Sequence, residues 1–533
     1  MNPVIDSRPK DAFCKWLNIL CARLEKYEDK DPTPFGPLAL VFCCYPFILL
    51  MIGSHPLWHD ELYTYYIAKA PTLKQFITEI THLDLQPPLG YVLTRISLKL
   101  LGDNQFATRM PSMLAFTGAS ICLYYSVRRR LGRFYGLLAT LVFWLTPFLY
   151  YATEARPYAL VVGFFALAML GWQEATEGGR RRFGLFAIAF GVWGMIVSQV
   201  FSPLLVLILG LAELTRSLEQ RKVLWPFWLA LLAPCAFVVM YIPIFRRFEA
   251  WTVVPPEFRA SPLKVLFFYG DISSAVSVVL LVALTAALFV YRSQPLELAQ
   301  SQFSVRKHEI ALVVGLLLLP VIINLALMRS GGAFWPRYCI PTGIGVALIF
   351  VYVLAKLTNG SRAAAAIASG CVFLGMIIGI VQQVVQPRRK AMVPEISLAQ
   401  LDHSLPVVDA SGLTFLEMNK RESNESLSRV FYLTDRGAAI HYAQATIFEG
   451  TASLRQYWPI RGTVMPYQDF VGSTPHFFVL GTPDYPEDWL IPKLLDDGAK
   501  LDFKGELRAS SYKDSMIFEV MMPPANNSLA PRK

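Results

Sequence analysis

Charge is scarce in this sequence. Only 17% of its 533 residues are Asp, Glu, Lys or Arg, against about 25% in ordinary soluble chains. That deficit excludes a chain bathed throughout by water. Cysteine is missing from the C-terminal region: the eight are Cys14, Cys21, Cys43, Cys44, Cys122, Cys235, Cys339 and Cys371. The region after position 388 therefore has no disulfide of its own, whatever its compartment. Neither HExxH nor a CxxC pair occurs, so the specific metal signatures are absent. No cleavable leader is expected, because the first apolar run starts near Gly36, behind the charged "RLEKYEDKD". The internal repeats and mid-run charges of a transporter are not evident either.

What is present is long apolar sequence. Hydrophobic residues make up 54% of the chain and the mean hydropathy is +0.42. Runs near 37–53, 112–127, 134–151, 157–172, 183–199, 202–216, 224–245, 273–291, 309–328, 338–355 and 363–384 give about eleven membrane spans. The reading is a polytopic α-helical membrane protein with a soluble α/β domain behind it. Residues 1–35 form a cytoplasmic segment, in which Phe13, Trp16, Leu17, Leu20, Cys21 and Leu24 share one helical stripe. That stripe fits an interfacial helix or a solvated one. Residues 36–387 form the membrane domain, with a first exterior loop over 54–111. Residues 388–533 form the soluble domain, where "RVFYLT" and "HFFVLGT" read as strands and "PEDWLIPKLLDDGAKLDFKGEL" as helix, turn and strand.

The net charge of +10 does not indicate a nucleic-acid partner. Its basic residues concentrate in Arg128–Arg133, Gly179–Phe183, Arg216–Lys222, Arg292–Lys307 and Lys356–Arg362. All five fall on one side of the spans, which the positive-inside rule makes cytoplasmic. An odd number of spans then puts the N-terminus inside and the C-terminal domain outside a plasma (inner) membrane. This alternation requires that "PPLGYVLTRISLKLLG" (Pro87–Gly102) lie in the outer interface, too short to cross. The segment Arg246–Asp271 is read as an exterior loop.

Several ionisable residues then gather at exterior span ends. Asp60 and Glu61 follow the first span, and Asp84 precedes the interfacial helix. A carboxylate there can take a proton from a hydroxyl. It can equally well cap the helix that "LYTYYIAKA" begins, and the two roles are compatible. His55, His59, His82, Asp60 and Asp84 could form a metal site or be solvated loop residues. Glu154 and Arg156 in "YYATEARPYAL" can anchor the interface, pair with each other or face a site. Arg337 in "SGGAFWPRYCIP" can grip a phosphate or snorkel to lipid headgroups.

In order along the chain, "WHDELYTYYIA", "DLQPPLGYVLTRISLKLLGDNQFATRMPSML", "YYATEARPYAL" and "WPRYCIPTGIGVAL" resemble the GT-C-fold glycosyltransferases. The likeness is to bacterial relatives of the protein O-mannosyltransferases and of the lipid A aminoarabinose transferase. The resemblance implies inverting transfer of a sugar from a polyprenyl-phosphate donor, outside the cytoplasm, to a lipid, protein or glycan acceptor. It implies Asp60 as base or acceptor-positioning residue, with Glu61 and Asp84 as further catalytic acids. Arg337 and Arg156 would bind the donor phosphate. His59, Gln86, Tyr91, Glu154, Tyr158 and Tyr338 would line the substrate site. Gln86 departs from the His or Lys common in the family, which leaves the donor sugar open. No second acidic pair for a metal-dependent branch is present, so no cofactor is expected and a divalent metal is expected to be dispensable. The alternatives are a transporter or lipid flippase, or an assembly scaffold acting through its C-terminal domain.

Overall fold

The computed structural model describes residues 56–84, 86–251, 256–293, 303–385, 395–444, 454–482, 488–507 and 515–524, with Ile19, Tyr45, Pro46 and Leu49. Apart from those single residues, the N-terminal helix, the first span and His55 of the sequence reading lie outside this set.

Three short helices come first: α1 (His59–Ala68), α2 (Leu73–His82) and α3 (Leu89–Leu101). The 13 residues of α3 extend about 20 Å, short of a bilayer's hydrocarbon core. Its Val92, Ile96 and Leu100 are exposed along one stripe, while Tyr91, Thr94 and Ser97 are buried. The apolar face therefore points away from the protein. Arg95 reaches back from α3 to the C-terminal end of α1, where its Nη1 donates to the carbonyls of Ala68 and Ala70 at 2.8 and 2.7 Å. That ties α1 to α3 through carbonyls the helix end leaves open.

The membrane bundle follows. Its helices are α4 (Gln105–Leu131), α5 (Arg133–Leu145), α6 (Tyr158–Thr176), α7 (Arg181–Ile196), α8 (Pro203–Gln220), α9 (Trp225–Leu232), α10 (Tyr241–Trp251), α11 (Pro262–Arg292), α12 (Lys307–Ser330), α13 (Thr342–Leu357) and α14 (Arg362–Val385). Among the described residues, five units are long and apolar enough to cross a membrane: α6, Trp225–Arg246, α11, α12 and Arg362–Gln382. The chain is a multi-pass membrane protein. On α11, Val278, Leu281, Val282 and Phe289 are exposed while Ile272, Val276, Ala283, Ala287 and Val290 are buried. An exposed face that apolar is stable against lipid and not against water.

Two expectations need correction. The run 134–151 is not one straight span: α5 and a 3-10 turn over Pro147–Thr153 meet at 82°. Pro147 removes the backbone N–H that would continue α5 and disfavours helix at Thr146, whose Oγ1 donates instead to the Phe143 carbonyl at 2.6 Å. The bend returns the chain into the protein just before Glu154. The supposed loop over 246–271 is largely helical, because α10 runs to Trp251 and α11 begins at Pro262. The stretch reads as polar, but α11 is 31 residues, about 46 Å, and so outlasts the hydrocarbon core.

The basic loops converge at one end of the bundle. Arg129 pairs with Glu174 and Arg130 with Glu309. Arg306 pairs with Glu177, and His308 with Glu219 at 2.8 Å. Asn359 bonds the Tyr291 hydroxyl at 2.8 Å.

Behind the bundle stands a seven-stranded sheet: β1 (Glu395–Ile396), β2 (Val407–Asp409), β3 (Val430–Thr434), β4 (Thr463–Pro466), β5 (His476–Gly481), β6 (Lys500–Leu507) and β7 (Met516–Met521). Its order is β1-β6-β7-β5-β2-β3-β4. Neighbours from β5 to β4 are parallel, and β7 runs antiparallel to β5 and β6. Alternation sends Val407 and Val408 to opposite faces, each with its own apolar cluster. Helix α15 (Gly412–Arg421) covers one face, where Phe415 stacks on Tyr432 at 5.5 Å. A further cluster joins Leu57, Leu62, Tyr65, Phe76 and Tyr91 to Leu416, Leu454 and Trp458, so the α/β domain is docked on α1–α3.

Candidate functional site

The site begins with α1. Its first turn carries Asp60 and Glu61 side by side, but their side chains diverge. Glu61 is sealed in: Arg109 on α4 donates to both its oxygens, Nε to Oε1 at 2.7 Å and Nη2 to Oε2 at 2.6 Å. The Ala155 N–H adds a bond at 2.8 Å and the Trp58 N–H one at 3.3 Å. Glu61 is thus a junction of α1, α4 and the 154–157 linker, and it also does the capping that its position predicts. Arg109 was legible only as part of "RMP", with no local sign of its partner.

Asp84, just before α3, accepts from the Tyr91 hydroxyl at 2.6 Å and from Arg156 Nη1 at 2.7 Å. The same Nη1 lies 3.2 Å from the Asp60 carbonyl. Asp60 Oδ2 accepts from Arg337 Nη1 at 2.6 Å, and Asp60 Oδ1 lies 3.4 Å from His59 Nε2. Arg337 belongs to the 3-10 turn Pro336–Cys339 that leads into α13. Its guanidinium sits 5.9 Å from the Trp58 ring centroid, 5.7 Å from that of Tyr158 and 5.0 Å from that of Trp335. This aromatic box holds a cation while leaving the fork's donors for an anion. Tyr338 faces Tyr158 at 6.2 Å and Phe201 at 4.8 Å.

Three carboxylate–guanidinium pairs therefore lie together, graded by exposure. Arg109 and Glu61 are 2% and 0% exposed, Arg156 and Asp84 6% and 12%, Arg337 and Asp60 18% and 17%. The last pair is the most exposed of the three.

The charges shape their neighbours. Burial pushes the Asp60 carboxyl up, but Arg337, Arg156 and His59 outweigh it and hold the group well below the usual carboxylate range. Burial lowers the His59 imidazole to about 4 against the pull of Asp60, so it is neutral at pH 7. Glu154 moves the other way: burial raises it to about 8, with Arg337 opposing and Asp60 and Glu61 adding to the rise. At neutral pH it is mainly a protonated acid.

Buried polar atoms without a hydrogen bond collect here: Trp58 Nε1, Thr64 Oγ1, Gln86 Oε1, Glu154 Oε2, Arg156 Nε and Arg337 Nε. Such atoms are rare in folded interiors and mark sites that take something else. Thr64, Gln86 and Arg156 line one small cavity with Tyr91, Thr94 and Ser112, roomy enough for about one water molecule.

The eleven residues that the resemblance assigned to a site fall in or beside this cluster, although Glu61 is fully enclosed. His82 does not: it is exposed and bonds the Thr78 carbonyl at 2.7 Å. Among the described residues no group of three or more His, Cys, Asp and Glu is arranged to hold a metal. The residue that sequence reasoning missed entirely is Glu417 on α15. Its Oε1 accepts the His59 N–H at 3.1 Å, and no local signal near position 417 announces that contact.

Comparison with known proteins places this geometry in context. The model of the dolichyl-phosphate-mannose-protein mannosyltransferase family matches residues 85–242. The crystal structure of ArnT from Cupriavidus metallidurans in the apo state superposes with a TM-score of 0.51 at 10% identity, covering 90% of this chain and 97% of that one. The same ArnT bound to undecaprenyl phosphate gives a TM-score of 0.40 at 12% identity, covering 91% and 98%. No curated protein matches in sequence. The apo likeness shows the fold, which is the ArnT-like GT-C fold with a C-terminal sheet domain. The resemblance read from the four sequence blocks is thus met by one comparison of sequence and one of fold.

Proposed function

We propose that this chain is an inverting glycosyltransferase. In this reading it moves a sugar from a polyprenyl-phosphate donor to an acceptor hydroxyl at the outer membrane face. The observation that carries the reading is the Asp60–Arg337 pair, whose 2.6 Å bond joins residues 277 positions apart at the most exposed part of the charge cluster. The family model that matches residues 85–242 is named for a lipid-phosphate sugar donor, which supports the donor class.

The chemistry follows from the pairing. With Arg337 on Asp60, the carboxylate is a weak base. A donor phosphate competes for Arg337, since a guanidinium fork matches phosphate oxygens as well as it matches a carboxylate. Once Arg337 turns to phosphate, Asp60 loses its nearest cation and faces a new anion. Both changes raise its proton affinity. Donor binding would thereby switch Asp60 on as the base for the acceptor hydroxyl. The acceptor oxygen attacks the anomeric carbon, the bond to the phosphate oxygen breaks, and Arg337 and Arg156 stabilise the departing lipid phosphate. Asp84 holds Arg156 and Tyr91 in place. Tyr158, Tyr338, His59, Gln86 and the protonated Glu154 offer hydrogen-bonding and stacking surface to the sugar. Glu61 acts through Arg109 as a positioning residue.

For orientation we keep about eleven spans, the N-terminus inside and the α/β domain outside. The clustering of the five basic loops at one end and the docking of the α/β domain beside the site support this arrangement.

The test uses purified full-length protein with a polyprenyl-phosphate sugar and membrane acceptor extract. Asp60→Asn should lower transfer by about 10²–10⁴-fold with an unchanged elution profile. Full activity in Asp60→Asn would remove Asp60 as the base.

A further inference from the structure

The turn that carries Asp60 has no side-chain cap from the residue that precedes it. The residue before α1 is Trp58, whose side chain makes no capping bond, and tryptophan has no acceptor to offer a helix start. The first amides of a helix need acceptors from elsewhere. Two carboxylates supply them. Glu61 takes the Trp58 N–H from within α1. Glu417 takes the His59 N–H at 3.1 Å from the other domain, 358 positions away.

Glu417 is built for that contact. It is buried on α15, and its Oε2 lies 3.4 Å from Arg421 Nη2, one helical turn on. That same Nη2 donates to the Leu57 carbonyl at 3.4 Å. Glu417 Oε1 also lies 4.0 Å from His59 Nδ1, while His59 Nε2 faces Asp60 Oδ1 at 3.4 Å. One face of α15 therefore holds residues 57–59 by backbone contacts at both ends, and Asp60 is the next residue. Farther along α1, Lys420 Nζ donates to the Tyr65 hydroxyl at 2.7 Å and stands over its ring.

We infer that Glu417 is a positioning residue of the transfer site: the α/β domain caps α1 from across the domain boundary and so holds Asp60 in register with Arg337. The inference rests on the glycosyl-transfer reading for its catalytic consequence, and on the α1–α15 contact alone for its structural one. It gives the C-terminal domain a defined part in the site and separates its role from that of a passive cover.

Two readouts on the full chain in detergent test it. The first is amide exchange by mass spectrometry over residues 57–66. Glu417→Ala and Glu417→Asp should speed exchange there, the second because its carboxylate falls one methylene short. Glu417→Gln keeps an acceptor oxygen at the same reach and should exchange as the parent does. The exposed Glu425→Ala serves as control and should change nothing. The second readout is turnover. Glu417→Ala and Glu417→Asp should lower kcat by about tenfold to a hundredfold, as small misplacements of reacting groups do, with donor KM little changed. Glu417→Gln should stay within about threefold of the parent, less than the loss of a whole cap would give.

Parent-like exchange over 57–66 in Glu417→Asp overturns the cap. Faster exchange with parent-like kcat overturns the positioning role. Loss of kcat in Glu417→Gln equal to that in Glu417→Ala also overturns it, because charge and not the acceptor would then matter. If the parent itself transfers no sugar from any polyprenyl-phosphate donor, the transferase reading fails, and the exchange result still decides the cap.

Discussion

Three guanidinium–carboxylate pairs share one site, and their burial assigns them different work. The Glu61–Arg109 pair has no route to solvent and every strong contact it needs. Removing one partner strands the other in the interior, which costs about 3–5 kcal/mol. Arg109→Ala should therefore lower the thermal midpoint and the yield of monodisperse protein more than Arg337→Ala does, as measured by melting in detergent. Glu154 gives a pH signature. Its folded-state value, about 8 against an ordinary 4.5, means that the folded protein holds a proton the unfolded chain releases. Stability should then fall as pH rises between those values and level off above about 8. His59 acts oppositely, with folded-state value near 4 against 6.5, so its contribution is complete above pH 6.5. Between pH 7 and 9 Glu154 acts alone of the two. Glu154→Gln should flatten the decline of the melting midpoint over that interval, and an unchanged slope would remove Glu154 as its source.

At the scale of elements, a bend and a close approach set the site's frame. The break after α5 turns the chain so that Glu154, Ala155 and Arg156 meet α1. The next two helices, α6 and α7, pack backbone to backbone. A Cβ on Gly184 would stand 2.5 Å from the Ala175 nitrogen and 2.6 Å from the Gly171 carbonyl oxygen. Small residues of this kind let membrane helices touch closely. Gly184→Val should force the pair apart, with a loss of about 1–3 kcal/mol or more, read as a lower melting midpoint and reduced transfer. Helix identity was legible here from apolar runs. The bend was less so, because Pro147 sits inside a run whose hydropathy does not change across it.

At the scale of the molecule, the α/β domain is fastened to the first-loop helices by an aromatic wedge. Trp458 stacks on Tyr66 and meets Tyr63 edge-on, both at 5.0 Å, and its Nε1 donates to Glu79 Oε2 at 3.2 Å. Trp458→Ala should remove about 3–5 kcal/mol of packing. It should make the segment joining the two domains near residue 390 more sensitive to limited proteolysis while both domains stay folded. Unchanged digestion would show that the wedge does not hold the domains together.

The sequence by itself determined the solvent of each part, because apolar runs and charge deficit act locally and need no partner. It also marked the four blocks from which the site is drawn, since ionisable residues at span ends stand out against lipid-facing sequence. Its periodicity marked three of the last domain's seven strands, Val430–Thr434, His476–Gly481 and Lys500–Leu507, and the helix Leu490–Asp496. Only the tertiary structure decided which charge meets which. Asp60 and Glu61 are adjacent in sequence yet answer to Arg337 and Arg109, because successive helical residues point about 100° apart. Glu417 reaches α1 only through the docking of two domains. Pairing energy depends on distance and burial, and neither is written in a residue's neighbours along the chain.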